Sequence, residues 1–326
     1  MGKGGCNLRP HRVEYGQCLL KGGIAMDRPS GQGRYYAYAF VTVLLWSTSA
    51  ASVKTLTAGL SGLCVLAYSS LTAVLVLLLL LVLRGQTRLL RRYGLREYRT
   101  LAGLGFLGMF LYSFLYYTGI SRLTSQEACI LNYLWPVMIV LFSCLILKEP
   151  LTGRKGLAIG LSFSGVLVIT LFDLAAGGGA LTGDCLGMGA CVLAAVCYGL
   201  FCVLNKKAGL DQTVGQIVFW SVACLCAFAL CALRGELALP GLPQWGGIAW
   251  LGVMVDGLPY LMWAMALNGA EDTARIANLA YLTPILSVTV SAAALGESLS
   301  PAYLIALGLI LSGIVIQLTG KKKDPP

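Results

Sequence analysis

The chain has 326 residues, of which 57% are hydrophobic and 12% are charged, and its mean hydropathy is +0.78. Soluble globular domains carry about twice that charged fraction, so the composition excludes an ordinary soluble protein and predicts a polytopic membrane protein. The net charge of +10 comes from Lys and Arg residues that lie between apolar runs, and this placement argues against nucleic acid as a partner.

Ten hydrophobic stretches are long enough, or nearly so, to cross a hydrocarbon core about 30 Å thick as helices. Numbered in chain order, segments 1 to 10 are 36–53, 62–83, 100–119, 128–147, 155–172, 184–205, 214–233, 247–268, 275–295 and 302–319. We expect residues 1–35 to form a disordered cytoplasmic lead, in which Met26 is an alternative start, and residues 320–326 to form a cytoplasmic tail.

The positive charges indicate how these segments are oriented. With a cytoplasmic N-terminus, 21 of the 24 Lys and Arg residues fall in cytoplasmic stretches and 3 fall in outer loops. Cytoplasmic loops of membrane proteins carry an excess of Lys and Arg, so this distribution predicts that both termini are cytoplasmic. The predicted location is the bacterial inner membrane.

Residues 127–171 recur as residues 275–319, with 14 of 45 aligned positions identical and no gap. Pro136 aligns with Pro284, and Gly160 aligns with Gly308. Because the two copies lie five crossings apart, an odd number, the second copy is predicted to be inserted upside down. The predicted fold class is an all-α membrane protein with ten transmembrane helices in two inverted five-helix repeats, 36–172 and 184–319, an arrangement typical of transporters.

Segment 8 contains an acidic residue near its middle, where a charged side chain costs about 2.5–3.5 kcal/mol on insertion scales. Asp256 is followed by Tyr260 and Trp263 at helical spacing, so the three are predicted to share one helix face. Pro259 lies between them and is expected to leave a carbonyl free near that face. The stripe either contacts substrate or exchanges a proton, or Asp256 is a neutral residue bonded to a neighbouring helix.

Aromatic residues at membrane depth stack on substrate rings or pack between helices. With the polar residues of the same segments, they form the predicted wall of a central cavity. The residues that we expect to line it are Trp46, Tyr112, Tyr116, Asn132, Tyr133, Trp135, Tyr198, Asn205, Asp256, Tyr260, Trp263 and Tyr281. The predicted helix breaks are Pro136, Pro259 and Pro284.

Three other charged residues have two interpretations each. Glu127 begins segment 4 and is either a carboxylate favoured by the helix dipole or, with Asp256, a candidate for proton coupling. Lys54 and Lys206 end segments 1 and 6, where each is either a cation at a helix C-terminus or a ligand of a substrate carboxylate.

Motifs for covalent chemistry are absent from the sequence. It has no GxxxxGK[ST], HExxH, GxSxG or CxxC motif, and its one histidine is His11. We therefore expect neither an enzyme nor a metal or cofactor site. Gly156, Gly160 and Ser164 are spaced by four residues, a pattern that predicts close packing between helices.

The chain resembles the EamA domains of the drug/metabolite transporter superfamily over about residues 36–319. The resemblance is carried by LNYLWPVMIVLF (131–142), YGLFCVLNKKA (198–208), GLPYLMW (257–263) and YLTPILS (281–287), which are similar to motifs of bacterial aromatic amino acid exporters. It implies export of aromatic and other neutral amino acids through a central cavity.

These observations predict an exporter of small metabolites that works by alternating access. Two alternatives stay open: an exporter of drugs or lipophilic cations, favoured by Asp256, and a membrane scaffold or sensor that transports nothing. The expected partners are a small-molecule substrate and the lipid bilayer. The oligomeric state is not fixed by the sequence, which is compatible with a monomer.

Overall fold

The computed structural model describes residues 32–148, 153–175, 181–269, 279, 282–296 and 301–318, and every regular element within these ranges is helical. The first half of the chain contains α1 (Gln32–Ser47), α2 (Ser49–Thr57), α3 (Gly62–Leu83), a 3-10 helix (Thr87–Arg91), α4 (Leu95–Gly105), a π-helical segment (Phe106–Leu111), α5 (Tyr112–Arg122), α6 (Ser125–Asn132), α7 (Trp135–Ile146) and α8 (Gly153–Ala175).

The second half contains a similar series. Its elements are α9 (Leu181–Ala208), α10 (Gln212–Leu233), α11 (Leu242–Ala249), a second π-helical segment (Trp250–Gly257), α12 (Leu258–Gly269), α13 (Leu282–Leu295) and α14 (Pro301–Leu318).

Within the described ranges, five continuous helical stretches are long and apolar enough to cross a membrane. They are Gly33–Thr57, Gly62–Leu83, Leu95–Arg122, Cys185–Ala208 and Gln212–Leu233. This result confirms the all-helical, membrane-embedded class. The count of ten crossings and the inversion of one half relative to the other stay predictions.

The apolar surface fits a lipid environment. On α3, Leu75, Leu79 and Leu83 are 58%, 55% and 72% exposed, whereas Leu77 and Leu81 on the same helix are buried against the core. A soluble monomer seldom exposes a continuous apolar stripe of this kind, because such surfaces associate in water. One face of α3 is therefore suited to face lipid, while the other packs on α10.

Two of the three predicted helix breaks lie in the first turns of helices: Pro136 is the second residue of α7, and Pro284 is the third of α13. Proline is tolerated in a first turn because its missing N–H would have had no intrahelical partner there. Pro259 differs, because α12 continues the π-helical segment without a break and the missing N–H lies within one helical stretch. Before Pro136, segment 4 is interrupted at Tyr133 and Leu134, so it forms α6 and α7 in place of one helix.

Glycine permits two close helix contacts that are related between the halves. A Cβ added to Gly105, at the end of α4, would lie 2.7 Å from the Cα of Phe219 in α10. A Cβ added to Gly252 would lie 2.5 Å from the carbonyl oxygen of Ser69 in α3. Real Cβ atoms do not approach backbone this closely, so both helix crossings depend on glycine.

The packing role predicted for the glycines of segments 5 and 10 needs a correction. Helices α8 and α14 do pack on each other, but no described atom lies within 4 Å of a Cβ built on Gly156, Gly160 or Gly308. The close approach is at Gly165, where a Cβ would lie 2.8 Å from the carbonyl oxygen of Ala306. Four-residue spacing identifies a face of small residues, but the rotation of the helix decides which face meets its neighbour.

Candidate functional site

A cavity lies where α1, α2, α5, α6, α9, α12 and α13 converge, and its empty volume is about 850 Å³ with its open mouth included. The described residues that line it are Trp46, Ser49, Ala50, Tyr112, Ser113, Tyr116, Tyr117, Asn132, Tyr133, Trp135, Tyr198, Trp220, Val255, Asp256, Tyr260, Thr283 and Ser287.

The aromatic rings of this cavity form two groups. In the first, the ring of Trp46 lies 5.2 Å from that of Tyr260 and 5.5 Å from that of Trp263, and Trp220 approaches Tyr260 at 6.1 Å. Centroid separations of 4.5–7 Å are those of favourable aromatic pairs, so the rings hold one another in place.

The second group surrounds Tyr198 on α9. Its ring lies 4.9 Å from Tyr112 and 5.4 Å from Trp135, and Tyr112 is stacked on Tyr116 at 6.0 Å. These residues come from α5, α7 and α9, which are brought together only by the tertiary fold. The cavity therefore has aromatic surfaces contributed by both halves of the chain.

Asp256 is the one acidic side chain among the described residues that line the cavity. It lies within the π-helical segment and is 5% exposed, and its Oδ2 has no hydrogen-bond partner within the described part of the chain. A π-turn inserts a residue into the helical register, and such turns are frequent at functional sites. An unpaired carboxylate oxygen on a residue that lines a cavity is suited to accept a hydrogen bond from a ligand group that reaches it.

Two further residues of the lining, Asn132 and Thr283, also have an unpaired oxygen atom. The Oδ1 of Asn132 and the Oγ1 of Thr283 are buried and have no partner among the described residues, whereas the Nδ2 of Asn132 donates to the hydroxyl of Tyr112 at 3.1 Å. With Asp256, these atoms make the site rich in acceptors. A ligand with N–H donors, such as an amine, matches this arrangement because it would satisfy acceptors that the protein leaves unpaired.

Pro259 affects the backbone next to Asp256. Having no N–H, it offers no hydrogen bond to the carbonyl of Val255 four residues earlier, and the indole Nε1 of Trp46 donates to that carbonyl at 3.2 Å. This bond joins α1 to the π-helical segment at the cavity wall. The Thr42 hydroxyl donates to the carbonyl of Pro259 at 3.3 Å and strengthens the same junction.

Nine of the twelve residues predicted to line the cavity do so; they are Trp46, Tyr112, Tyr116, Asn132, Tyr133, Trp135, Tyr198, Asp256 and Tyr260. Trp263 is not in the lining, although its ring packs on Trp46. Asn205 does not line the cavity either, and its side-chain amide donates to the Oε1 of Gln212 at 3.0 Å. Tyr281 lies outside the described residues.

Several lining residues, most of them small or polar, are not among those predicted from the sequence. Ser113 and Tyr117 lie next to predicted tyrosines on α5, and Thr283 and Ser287 are four residues apart on α13. Helical spacing from the predicted residues was the signal for these. Trp220 had no comparable signal, since it lies next to Phe219 within the apolar run of α10.

Glu127 and Lys54 both bind helix ends. The Glu127 Oε2 accepts from the backbone N–H of Thr124 at 2.8 Å, and the Thr124 hydroxyl accepts from the N–H of Glu127 at 3.2 Å, which together form a capping box at the start of α6. Lys54 donates to the carbonyls of Ile120, at 3.0 Å, and Leu123, at the end of α5. Neither residue lies in the cavity lining.

A helical, membrane-embedded chain with a ring-lined cavity between its two halves has the architecture of a transporter. The profile of the EamA-like transporter family matches the chain twice, at residues 33–171 and 185–319. The chain therefore belongs to the EamA-like transporter family, as the sequence motifs indicated.

Individual relatives agree with this assignment. The chain is 28% identical over 219 residues to a protein of Ancylobacter novellus named "Aromatic amino acid exporter YddG", with 66% of this chain and 73% of the relative covered. It is 25% identical over 233 residues to "Uncharacterized transporter YyaM" of Bacillus subtilis, with the same coverage. A solved crystal structure is 25% identical and has a TM-score of 0.64, and the match covers 87% of this chain and 96% of that one.

Proposed function

We propose that this transporter exports small organic compounds that carry an aromatic or other hydrophobic group and an amino group, with aromatic and neutral amino acids as the leading class. The observation that carries this proposal is the cavity itself: aromatic rings on two sides and a single unpaired carboxylate oxygen at Asp256. Rings of the protein can stack on a substrate ring, and the carboxylate can accept from its ammonium group. The printed name of the Ancylobacter relative supports the same class.

Transport would proceed by alternating access between two inverted five-helix repeats, 36–172 and 184–319. The packing of the helices supports this proposal. Helix α3 packs on α10, and α8 packs on α14, so each pairs with the helix that has the same place in the other half. Helix α5 of the first half packs on α9 of the second, and α12 of the second half packs on α1 of the first. Since α12 has the place of α5, and α9 the place of α1, this exchange is the pattern expected if one pseudo-two-fold axis relates the halves.

We also propose that the protein lies in the inner membrane with both termini in the cytoplasm. The 21 to 3 distribution of Lys and Arg supports this orientation. In this arrangement, the end of α3 and the start of α10 face the cytoplasm. Labelling of single cysteines placed in the two predicted tails of a cysteine-free variant, by a reagent that does not cross the membrane, would test it: labelling from the periplasmic side would contradict the proposal.

The substrate class is tested by efflux from proteoliposomes preloaded with phenylalanine, tryptophan or leucine. We expect wild-type protein to release the aromatic amino acids faster than protein-free vesicles do, and Asp256→Asn to slow that release. If wild-type release equals that of protein-free vesicles for every neutral amino acid, this substrate class is wrong.

A second candidate, an exporter of lipophilic or aromatic cations, is favoured by the charge of the cavity. Its described lining has one acid and no Lys, Arg or His that could pair with the carboxylate of an amino acid. Phenethylamine and tetraphenylphosphonium, loaded in parallel vesicles, separate the candidates. Release of these cations without release of amino acids would establish the second candidate in place of the first.

A further inference from the structure

A second pocket lies between the end of α3, the start of α10 and α12, and its empty volume is about 440 Å³ with open solvent included. Its lining combines apolar side chains with one cation and three amides. The described residues that line it are Leu77, Leu80, Leu81, Arg84, Gln86, Gln212, Thr213, Gln216, Ile217, Tyr260 and Leu261.

Tyr260 is the one described residue that lines both this pocket and the central cavity. Its ring is held from the cavity side by Trp46 at 5.2 Å and by Trp220 at 6.1 Å. The second pocket therefore runs from Arg84, at the end of α3, to the wall of the central cavity, and the two spaces adjoin at one aromatic side chain.

The polar groups of the second pocket have unused hydrogen-bonding capacity. Within the described residues, the side chain of Arg84 donates from Nη2 to the sulfur of Met265 at 3.9 Å, and this sulfur is a weak acceptor. The Oε1 of Gln216 is buried and has no partner there. A guanidinium is suited to bind a carboxylate through two parallel N–H bonds, and the amide oxygen is suited to accept from an ammonium group.

The apolar lining completes a match to one chemical class. Leu77, Leu81 and Ile217 offer a surface for a hydrophobic side chain, while Arg84 and Gln216 offer partners for the two charges of an α-amino acid. The central cavity lacks a cation among its described lining residues, so the carboxylate has a charged partner only in the second pocket. The two sites thus complement each other in charge.

The geometry points to a second substrate site in this pocket, which binds neutral hydrophobic amino acids at Arg84 and Gln216 before Tyr260 admits them to the central cavity. This inference rests on the proposed function, export of amino-group compounds with a hydrophobic part. In the proposed orientation the pocket opens to the cytoplasm, the side from which an exporter takes its substrate.

The test compares Arg84→Gln with Arg88→Gln in proteoliposomes that present the Arg84 face to the added compound. Arg88 lies in the same loop and is exposed but does not line the pocket, so its variant controls for the loss of one positive charge. For phenylalanine, Arg84→Gln should raise the KM by tenfold or more, since a charge-assisted bond is lost, and Arg88→Gln should leave it unchanged. For phenethylamine, which has no carboxylate, both variants should match the wild type.

The outcomes separate this inference from the function on which it rests. If wild-type protein transports neither compound, the proposed function fails. If wild-type protein transports phenylalanine but Arg84→Gln and Arg88→Gln behave alike, the second site is wrong. An equal loss for both compounds in Arg84→Gln would also contradict it, because that result indicates a structural role for the arginine.

A second variant tests the pocket without removing a charge. Thr213→Trp places a large ring in the pocket at the half-buried start of α10, away from the lining of the central cavity. Transport of phenylalanine should fall at least tenfold in protein whose melting temperature is retained. Wild-type transport by this variant would show that substrate does not pass through the pocket.

Discussion

The two halves of the chain share a backbone plan but differ in the chemistry that they bring to the cavity. The stretches 95–122 and 242–269 each begin after a glycine N-cap, whose N–H donates to a side chain three residues later: Glu97 in the first half and Gln244 in the second. Each then runs through an α-helix, a π-helical segment and another α-helix.

Their partner helices are similar as well. Helices α3 and α10 each have 22 residues and end at an Arg-Gly pair, in which Gly85 and Gly235 both have a φ of +64°. A left-handed glycine directly after the last turn is a common helix ending because glycine has no Cβ penalty there. The same N-cap and helix-ending sequences thus produce the same backbone conformation in both halves.

The side chains, in contrast, have diverged at the cavity. When Gly105 is aligned with Gly252, Met109 corresponds to Asp256. Met109 is fully buried in the core, whereas Asp256 lines the cavity with an unpaired oxygen. The difference indicates that duplication preserved the scaffold, because packing constrains it, while one copy acquired the charged group.

The largest effect is expected at the glycine helix crossings, which both halves have. Gly105→Ala and Gly252→Ala should each destabilise the protein by about 1–3 kcal/mol, because each Cβ would meet backbone atoms of a neighbouring helix. Thermal unfolding in detergent should show a melting temperature lower by several degrees for both. Gly103→Ala and Gly246→Ala are the matched controls, since no described atom lies within 4 Å of their Cβ.

The next largest effect is expected at Asp256, where the first half has Met109. Asp256→Met, which gives the second half the residue of the first, should reduce transport at least tenfold through loss of a charge-assisted bond to the amino group. It should also raise the melting temperature, because a buried oxygen without a partner is removed. Both quantities are needed: a loss of transport that follows a loss of stability would contradict the proposed role.

A moderate effect is expected for the ring groups contributed by the two halves. Trp46→Ala and Tyr198→Ala should each weaken substrate binding about threefold to tenfold, the value of one aromatic contact of about 0.5–1.5 kcal/mol. The affinity is measured from the concentration dependence of transport. Phe40→Ala on α1 is the control, since Phe40 is 47% exposed and lies outside the cavity lining. Equal affinities for all three variants would show that the rings serve packing alone.

The smallest effect is expected where the halves are alike and face away from the site. The hydroxyls of Ser164 and Ser312 each donate to a carbonyl four residues earlier, at 2.9 Å from Gly160 and 2.7 Å from Gly308. Alanine at either position should change stability by less than about 0.5 kcal/mol and leave transport unchanged. A larger effect at only one of them would show that α8 and α14 are not equivalent.

Much of the site could be anticipated because helices translate spacing into geometry. Tyr112 and Tyr116, four residues apart, were expected on one face, and they do line the cavity together. Trp263 was expected on the face of Asp256 and Tyr260, yet it is not part of the lining and packs on Trp46. Asp256 lies in a π-helical segment, whose wider turn changes the angle between successive side chains, and α-helical spacing does not account for this change.

The sequence by itself determined the membrane class, the helical content, the transporter family and most of the candidate cavity, because hydropathy, helical period and local motifs act within single segments. Only the tertiary structure decided that Gly165 and not Gly160 makes the close contact, that Glu127 caps a helix, and that Arg84 and Gln216 share a pocket that adjoins the cavity at Tyr260. These features depend on the rotation and depth at which helices from distant parts of the chain meet. The rotation and depth of each helix result from the simultaneous packing of many side chains, and the sequence of a single segment does not encode them.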